Sequence, residues 1–80
     1  MSVTVLLFAA YADALGTSSL RLDIEDGSTV RQLLGRLRGR AGAHALPPEP
    51  MVAVNERYAR GELVLAAGDT VAIIPPVAGG

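Results

Sequence analysis

A chain of 80 residues and 8.3 kDa has room for one domain, and with 50% of its residues apolar and 19% charged it is not intrinsically disordered. It has no cysteine, so neither disulfides nor a thiolate zinc site can hold it together, and a chain this small buries only about 60% of its unfolded surface. The net charge of −1 offers no excess of positive charge to phosphates, which argues against nucleic acid, and all basic residues are Arg, which excludes a Lys nucleophile or Schiff base.

The apolar run Val5 to Ala10 has no basic region before it, the first Arg being Arg21, so it does not read as a targeting signal. No stretch approaches the roughly 18 apolar residues of a membrane span. The expectation is a small cytoplasmic domain with no membrane partner.

Val3 to Ala9 reads as a strand. Val3, Val5 and Leu7 take one face and Leu6 and Phe8 the other, and apolarity on both faces suits a central strand. A short helical turn over Tyr11 to Leu15, stopped at Gly16, follows. Leu20 to Glu25 alternates, with Leu20, Leu22 and Ile24 on one face and Arg21, Asp23 and Glu25 on a wet one. Asp26-Gly27 ends that strand.

A helix comes next. Thr29 can cap it, with Gln32 three residues on, as a capping box requires. Val30, Leu33, Leu34, Leu37 and Ala41 fall on one stripe about 100° wide. Arg31 and Arg38 flank one side of the stripe, Arg36 and Arg40 the other, and Gln32, Gly35 and Gly39 point outward. Each exposed Gly costs about 1 kcal/mol relative to Ala, so the helix depends on docking its stripe against a sheet.

Gly42 to Pro50 is a loop too short to link two domains. Met51 to Val54 reads as a strand, Asn55-Glu56-Arg57 as a turn, Leu63 to Leu65 as a short strand or bridge, and Ala67-Gly68-Asp69 as a turn. Thr70 to Ile74 is a strand apolar on both faces, again central, and Pro75 stops it because proline supplies no N–H to a ladder. The sum is an α+β fold of β-grasp type, expected as a mixed sheet of four to five strands on one main helix, with residues 1–80 as one domain and 75–80 as a flexible functional tail.

Catalytic material is sparse. His44, the only histidine, stands in a proline-flanked loop with no partner base or nucleophile near it in sequence and reads as a surface or packing residue. Asp13, Asp23, Glu25 and Asp26 are scattered and read as solvated, and no His/Asp/Glu spacing suggests a metal. No glycine pattern cradles phosphate. The helix arginines read as solvated flanks or as contacts for an acidic partner. Tyr11 and Tyr58 are candidates for an interface or for edge packing.

The final hexapeptide, Pro75-Pro76-Val77-Ala78-Gly79-Gly80, is different. Two prolines favour an extended path out of a rigid strand, and two residues without side chains follow. Six residues reach at most roughly 20 Å. Such a peptide presents a carboxylate to a channel too narrow for side chains. A carboxylate is a poor electrophile and needs activation, most simply as an acyl-adenylate made from ATP, and the chain lacks groups for that work. The activating site would belong to a partner enzyme, and the chain would be a carrier or a tag whose own C-terminus reacts.

The sequence resembles the MoaD/ThiS family of ubiquitin-like sulfur carriers, most of all the small subunits of molybdopterin synthase. The likeness spans the chain: the opening strand into Phe8-Ala9-Ala10, the Leu15-Gly16 stop, Gly27-Ser28-Thr29-Val30, Val52-Ala53-Val54-Asn55, Gly68-Asp69-Thr70-Val71 and, most specifically, the terminal hexapeptide. The resemblance implies that a MoeB-type adenylating enzyme, akin to ubiquitin-activating enzymes, activates the Gly80 carboxylate with ATP. A sulfur donor protein then converts it to a thiocarboxylate, and sulfur passes to precursor Z inside the large subunit of a heterotetrameric molybdopterin synthase. No cofactor or metal would be bound by the chain itself. It further implies that Gly80 carries sulfur, that Gly79 and Ala78 thread the partner's pocket, and that Phe8 and Pro75-Pro76-Val77 dock. Many relatives carry an Arg between the positions of Phe8 and Gly16, where this chain has Tyr11, Ala12 and Asp13 and no Arg. Competing readings are a sulfur carrier for thiazole or cysteine synthesis, a ubiquitin-like modifier of target lysines, and an interaction module with an inert tail.

Overall fold

A computed structural model describes residues 1–76; the expectations for Val77, Ala78, Gly79 and Gly80 lie outside these described residues. The elements in chain order are β1 (Ser2–Leu7), α1 (Ala9–Leu15), β2 (Ser19–Asp23), α2 (Val30–Leu37), a short 3-10 turn (Ala43–Ala45), β3 (Met51–Val54), β4 (Arg57–Ala59) and β5 (Thr70–Ile74). Among the described residues the strands form one mixed sheet in the order β2-β1-β5-β3-β4. The two strands read as central from their doubled apolarity, β1 and β5, do lie inside, paired parallel from Thr4 with Thr70 to Leu7 with Ile73. Antiparallel partners flank them, β2 beside β1 and β3 beside β5. The architecture is the expected α+β arrangement, with five strands.

The alternation in the strands decides what the core is. Val3, Val5 and Leu7 from β1 and Val71 and Ile73 from β5 are fully buried, and they meet Val30, Leu33 and Leu37 of α2. Burying one such aliphatic side chain stabilises by roughly 1.5–3 kcal/mol. The anticipated capping box starts α2: the Gln32 backbone N–H donates to Thr29 Oγ1 at 3.2 Å, and the Thr29 N–H donates to Gln32 Oε1 at 2.8 Å. The next two helix N–H groups, of Val30 and Arg31, donate to the carbonyls of Leu63 and Gly61. Four donors that a helix leaves open are thereby met.

Several boundaries differ from the sequence reading, each for a local reason. β1 stops at Leu7, because Phe8 becomes the N-cap of α1. α1 is a helix of seven residues, closed as expected by Gly16 at φ 78°. The stripe of α2 does not extend to Ala41, which is exposed. After Leu37 the backbone tightens, with the Gly39 and Arg40 N–H groups bonding the Arg36 and Leu37 carbonyls, and Ala43 takes the buried place instead. Gly42 makes that reversal at φ 87°, and a Cβ there would stand 1.9 Å from the Ala14 carbonyl oxygen. Arg57 is not part of a turn but opens β4, since Asn55 and Glu56 alone reverse the chain with φ of 50° and 72°. Leu63 to Leu65, read as a short strand or bridge, is a bridge: Val64 pairs with Thr29 outside the named strands.

The β3–β4 turn is pinned to the start of β5. Asn55 Nδ2 donates to Asp69 Oδ1 at 2.9 Å, Asn55 Oδ1 accepts from the Thr70 N–H at 3.0 Å, and Asp69 Oδ2 accepts from the Ala66 N–H at 2.8 Å. No helix among the described residues is long and apolar enough to cross a membrane.

Candidate docking face

The outer face of the sheet follows from the register. One row runs Tyr58, Ala53, Ala72, Leu6 and Ser19 across β4, β3, β5, β1 and β2. The next row toward the end of β5 pairs Met51 with Ile74. Phe8 keeps an extended backbone, φ −129° and ψ 153°, so it continues the alternation of β1 by one residue and shares this face with Leu6. In the opposite direction the rows turn polar, with Thr70 beside Thr4 and Thr4 beside Arg21.

None of these outer apolar residues belongs to the core cluster. Phe8 is 46% exposed, Met51 55% and Tyr58 76%, while Leu6, Ala72 and Ile74 are half-buried by their neighbours. The result is an apolar patch at the end of the sheet where β5 hands the chain to Pro75 and Pro76. Large exposed apolar side chains gathered in one place mark a surface for another protein. Among the described residues the patch carries no acid or base, and its only hydroxyls are those of Tyr58 and of Ser19 at its far edge. It can bind and orient; it cannot activate a carboxylate.

Ala9, immediately after Phe8, has φ 49°, a left-handed conformation that costs a residue with a Cβ roughly 1–2 kcal/mol. This bend turns the chain from Phe8 into α1. Gly would relieve the bend but would also leave Phe8 less firmly aimed.

The structure brings together Phe8, Pro75 and Pro76 of the anticipated contacts, at one end of the sheet. Val77, Ala78, Gly79 and Gly80 lie outside the described residues. The two tyrosines part company: Tyr11 is buried in the core and Tyr58 is on the patch. His44 is exposed at the 3-10 turn. Among the described residues no group of three or more His, Cys, Asp or Glu could hold a metal ion. Sequence reasoning missed Met51, Ile74, Leu6 and Ala72 as contacts. The signal was present, since doubled apolarity on β1 and β5 was read as centrality alone, whereas one layer of helix leaves the second apolar face uncovered.

Comparison with known proteins agrees with the fold. The sequence model of the ThiS family matches residues 5–80. The molybdopterin synthase sulfur carrier subunit of Chlamydomonas reinhardtii is 33% identical over 86 residues, covering 100% of each chain. The crystal structure of SAMP1, a small archaeal modifier protein, from Haloferax volcanii has a TM-score of 0.87 at 30% identity over 100% of both chains. A putative molybdopterin converting factor subunit 1 from Pyrococcus furiosus has a TM-score of 0.84 at 27% identity, covering 96% of this chain and 99% of its own. With a family match over nearly its whole length and the ubiquitin-like sheet that such relatives share, the chain belongs to the ThiS family.

Proposed function

We propose that this chain is the sulfur carrier subunit of a molybdopterin synthase. The observation that carries the reading is the apolar patch of Phe8, Met51, Tyr58 and Ile74 at the point where β5 releases the C-terminal segment. A docked partner on that patch would receive the tail at a fixed place. The curated relatives, which bear the name molybdopterin synthase sulfur carrier subunit, support the pathway.

In this reading the Gly80 carboxylate attacks the α-phosphate of ATP on a MoeB-type adenylating enzyme, forming an acyl-adenylate and releasing pyrophosphate. Sulfide-level sulfur supplied by a donor protein attacks the acyl carbon, the acyl–phosphate bond breaks, and AMP departs, leaving a thiocarboxylate. The tail then enters the large subunit of a heterotetrameric synthase, where the sulfur attacks precursor Z and the carboxylate is regenerated by water. The chain supplies docking, reach and the reacting terminus. Phe8 and the patch bind, Pro75 and Pro76 hold an extended exit, Val77 and Ala78 follow into the pocket, and Gly79 with Gly80 passes a channel too narrow for side chains. The catalytic groups and the nucleotide site are the partners', and the cycle runs in the ATP-rich cytoplasm.

The test is the intact mass of the chain after incubation with ATP, sulfide and a MoeB-type enzyme. A gain equal to replacing one oxygen by sulfur, absent when Gly80 is deleted, is the expected result. Restoration of molybdoenzyme activity by the Gly80-deleted chain in a carrier-null cell would sink the proposal. The SAMP1 likeness favours a second reading, a modifier joined through Gly80 to target lysines. High-mass conjugates of a tagged chain in cell extracts, lost on deletion of Gly80, distinguish it.

A further inference from the structure

Just past the last turn of α2, the Arg38 guanidinium grips three successive carbonyls. Nη1 donates to Leu46 O at 3.3 Å, and Nη2 donates to Pro47 O and, at 2.9 Å, to Pro48 O. Arg38 has no carboxylate partner among the described residues. No backbone N–H of the described loops bonds those carbonyls either. The strap they belong to contains Pro47, Pro48 and Pro50, which have no N–H with which to tie it down. Leu46 anchors one end in the core. The other end runs straight into Met51, whose partner across the ladder is Ile74, the last rung before Pro75. The strap borders an open cleft of about 700 Å³, lined also by Leu34 and Arg38 and by Val52 and Ala59 of the sheet. Across from it the Arg38 guanidinium ties the strap to the end of α2.

We infer that Arg38 is a positioning residue for the docking face. By fixing residues 46–50 it holds Met51 against Ile74, at the corner of the patch where the chain leaves the sheet. The inference rests on the docking role proposed for that patch. The planar fork of Arg is what meets adjacent carbonyls; the compact ammonium of Lys reaches fewer of them.

The experiment uses the full chain with ATP, sulfide and a purified MoeB-type adenylating enzyme, and compares Arg38→Met, Arg38→Lys and Ile74→Asp. Arg38→Met is expected to raise the KM for the carrier about tenfold, equivalent to about 1.4 kcal/mol, with kcat little changed. The Met51 methyl resonance should shift while the methyls of Leu33 and Val71 stay in place. Arg38→Lys should recover part of the loss, and it also serves as the folded variant if Arg38→Met does not fold. Unchanged KM in the Arg38 variants, beside an Ile74→Asp chain with raised KM, would overturn the role of Arg38 alone, as would an unmoved Met51 methyl. Unchanged KM in Ile74→Asp would overturn the docking reading itself.

Discussion

On the inner face of the sheet Val5, Leu7, Val71 and Ile73 are sealed beneath α2, whereas their immediate chain neighbours Leu6, Ala72 and Ile74 face outward, with no helix of the described residues above them. Both sets are apolar and come from the same two strands. What separates them is the layer overhead. The inner set, closed by side chains of the same molecule, is the source of stability. The outer set, ringed by Phe8, Met51 and Tyr58, offers the same kind of surface to another molecule. Apolarity on both faces of a strand thus carries two messages, one about neighbours in the sheet and one about what covers it.

Substitutions on the two faces should separate stability from binding. Leu33→Ala, which removes a fully buried side chain under the sheet, is expected to cost about 2–5 kcal/mol, a large part of the stability of so small a domain; urea denaturation measures it. Gly42→Ala is expected to be comparably harmful, at about 2 kcal/mol or more, because its Cβ would meet the Ala14 carbonyl and its φ is left-handed. Met51→Ser and Tyr58→Ser together should shift the denaturation midpoint little, each within about 0.5 kcal/mol of neutral as for ordinary surface positions. Yet the pair should weaken binding to the large synthase subunit at least tenfold by titration calorimetry. If the outer pair unfolds the domain as Leu33→Ala does, the division between the faces is wrong.

Two smaller effects sharpen the picture by acting on neither face. Thr29→Ala removes half of the capping box and should cost about 1 kcal/mol, read as a lower melting temperature with unchanged partner affinity. Glu56→Gly should instead stabilise by a few tenths to about 1 kcal/mol, since Glu56 holds φ 72° in the β3–β4 turn. A melting temperature that falls on Glu56→Gly would show that the Glu side chain contributes more than its backbone strain takes away.

Much of the fold was legible because its signals are local. Thr29 and Gln32 announced the start of α2, Gly16 the end of α1, and Pro75 the end of β5. The β3–β4 hairpin was hidden because Asn55-Glu56 fills two left-handed positions that Asn-Gly would have advertised. Without that signal Arg57 was absorbed into the turn and β4 went unseen. Ala41 was misplaced because a helical period can be counted onward after the helix has ended; Gly39 and Gly42 were the warning. The site was legible where it is contiguous in sequence, in Pro75 and Pro76, and at Phe8 through family resemblance. Met51, Tyr58 and Ile74 come together only through strand register, which no spacing along the chain reveals.

The sheet order also governs when the domain can exist. β1 and β2 form one antiparallel pair and β3 and β4 another, and the strand that joins them is β5, which follows all four in the chain. Before Thr70 is synthesised the nascent chain has two separate ribbons and no common core for α2 to cover. Contacts such as Thr4 with Thr70 pair residues far apart in the chain, the long-range kind of pairing that is slow to close. A polypeptide broken off before Thr70 would lack the sheet's centre, its outer patch and the segment from Pro75 onward all at once. Partners that grip the patch would therefore pass over unfinished chains without any separate inspection step.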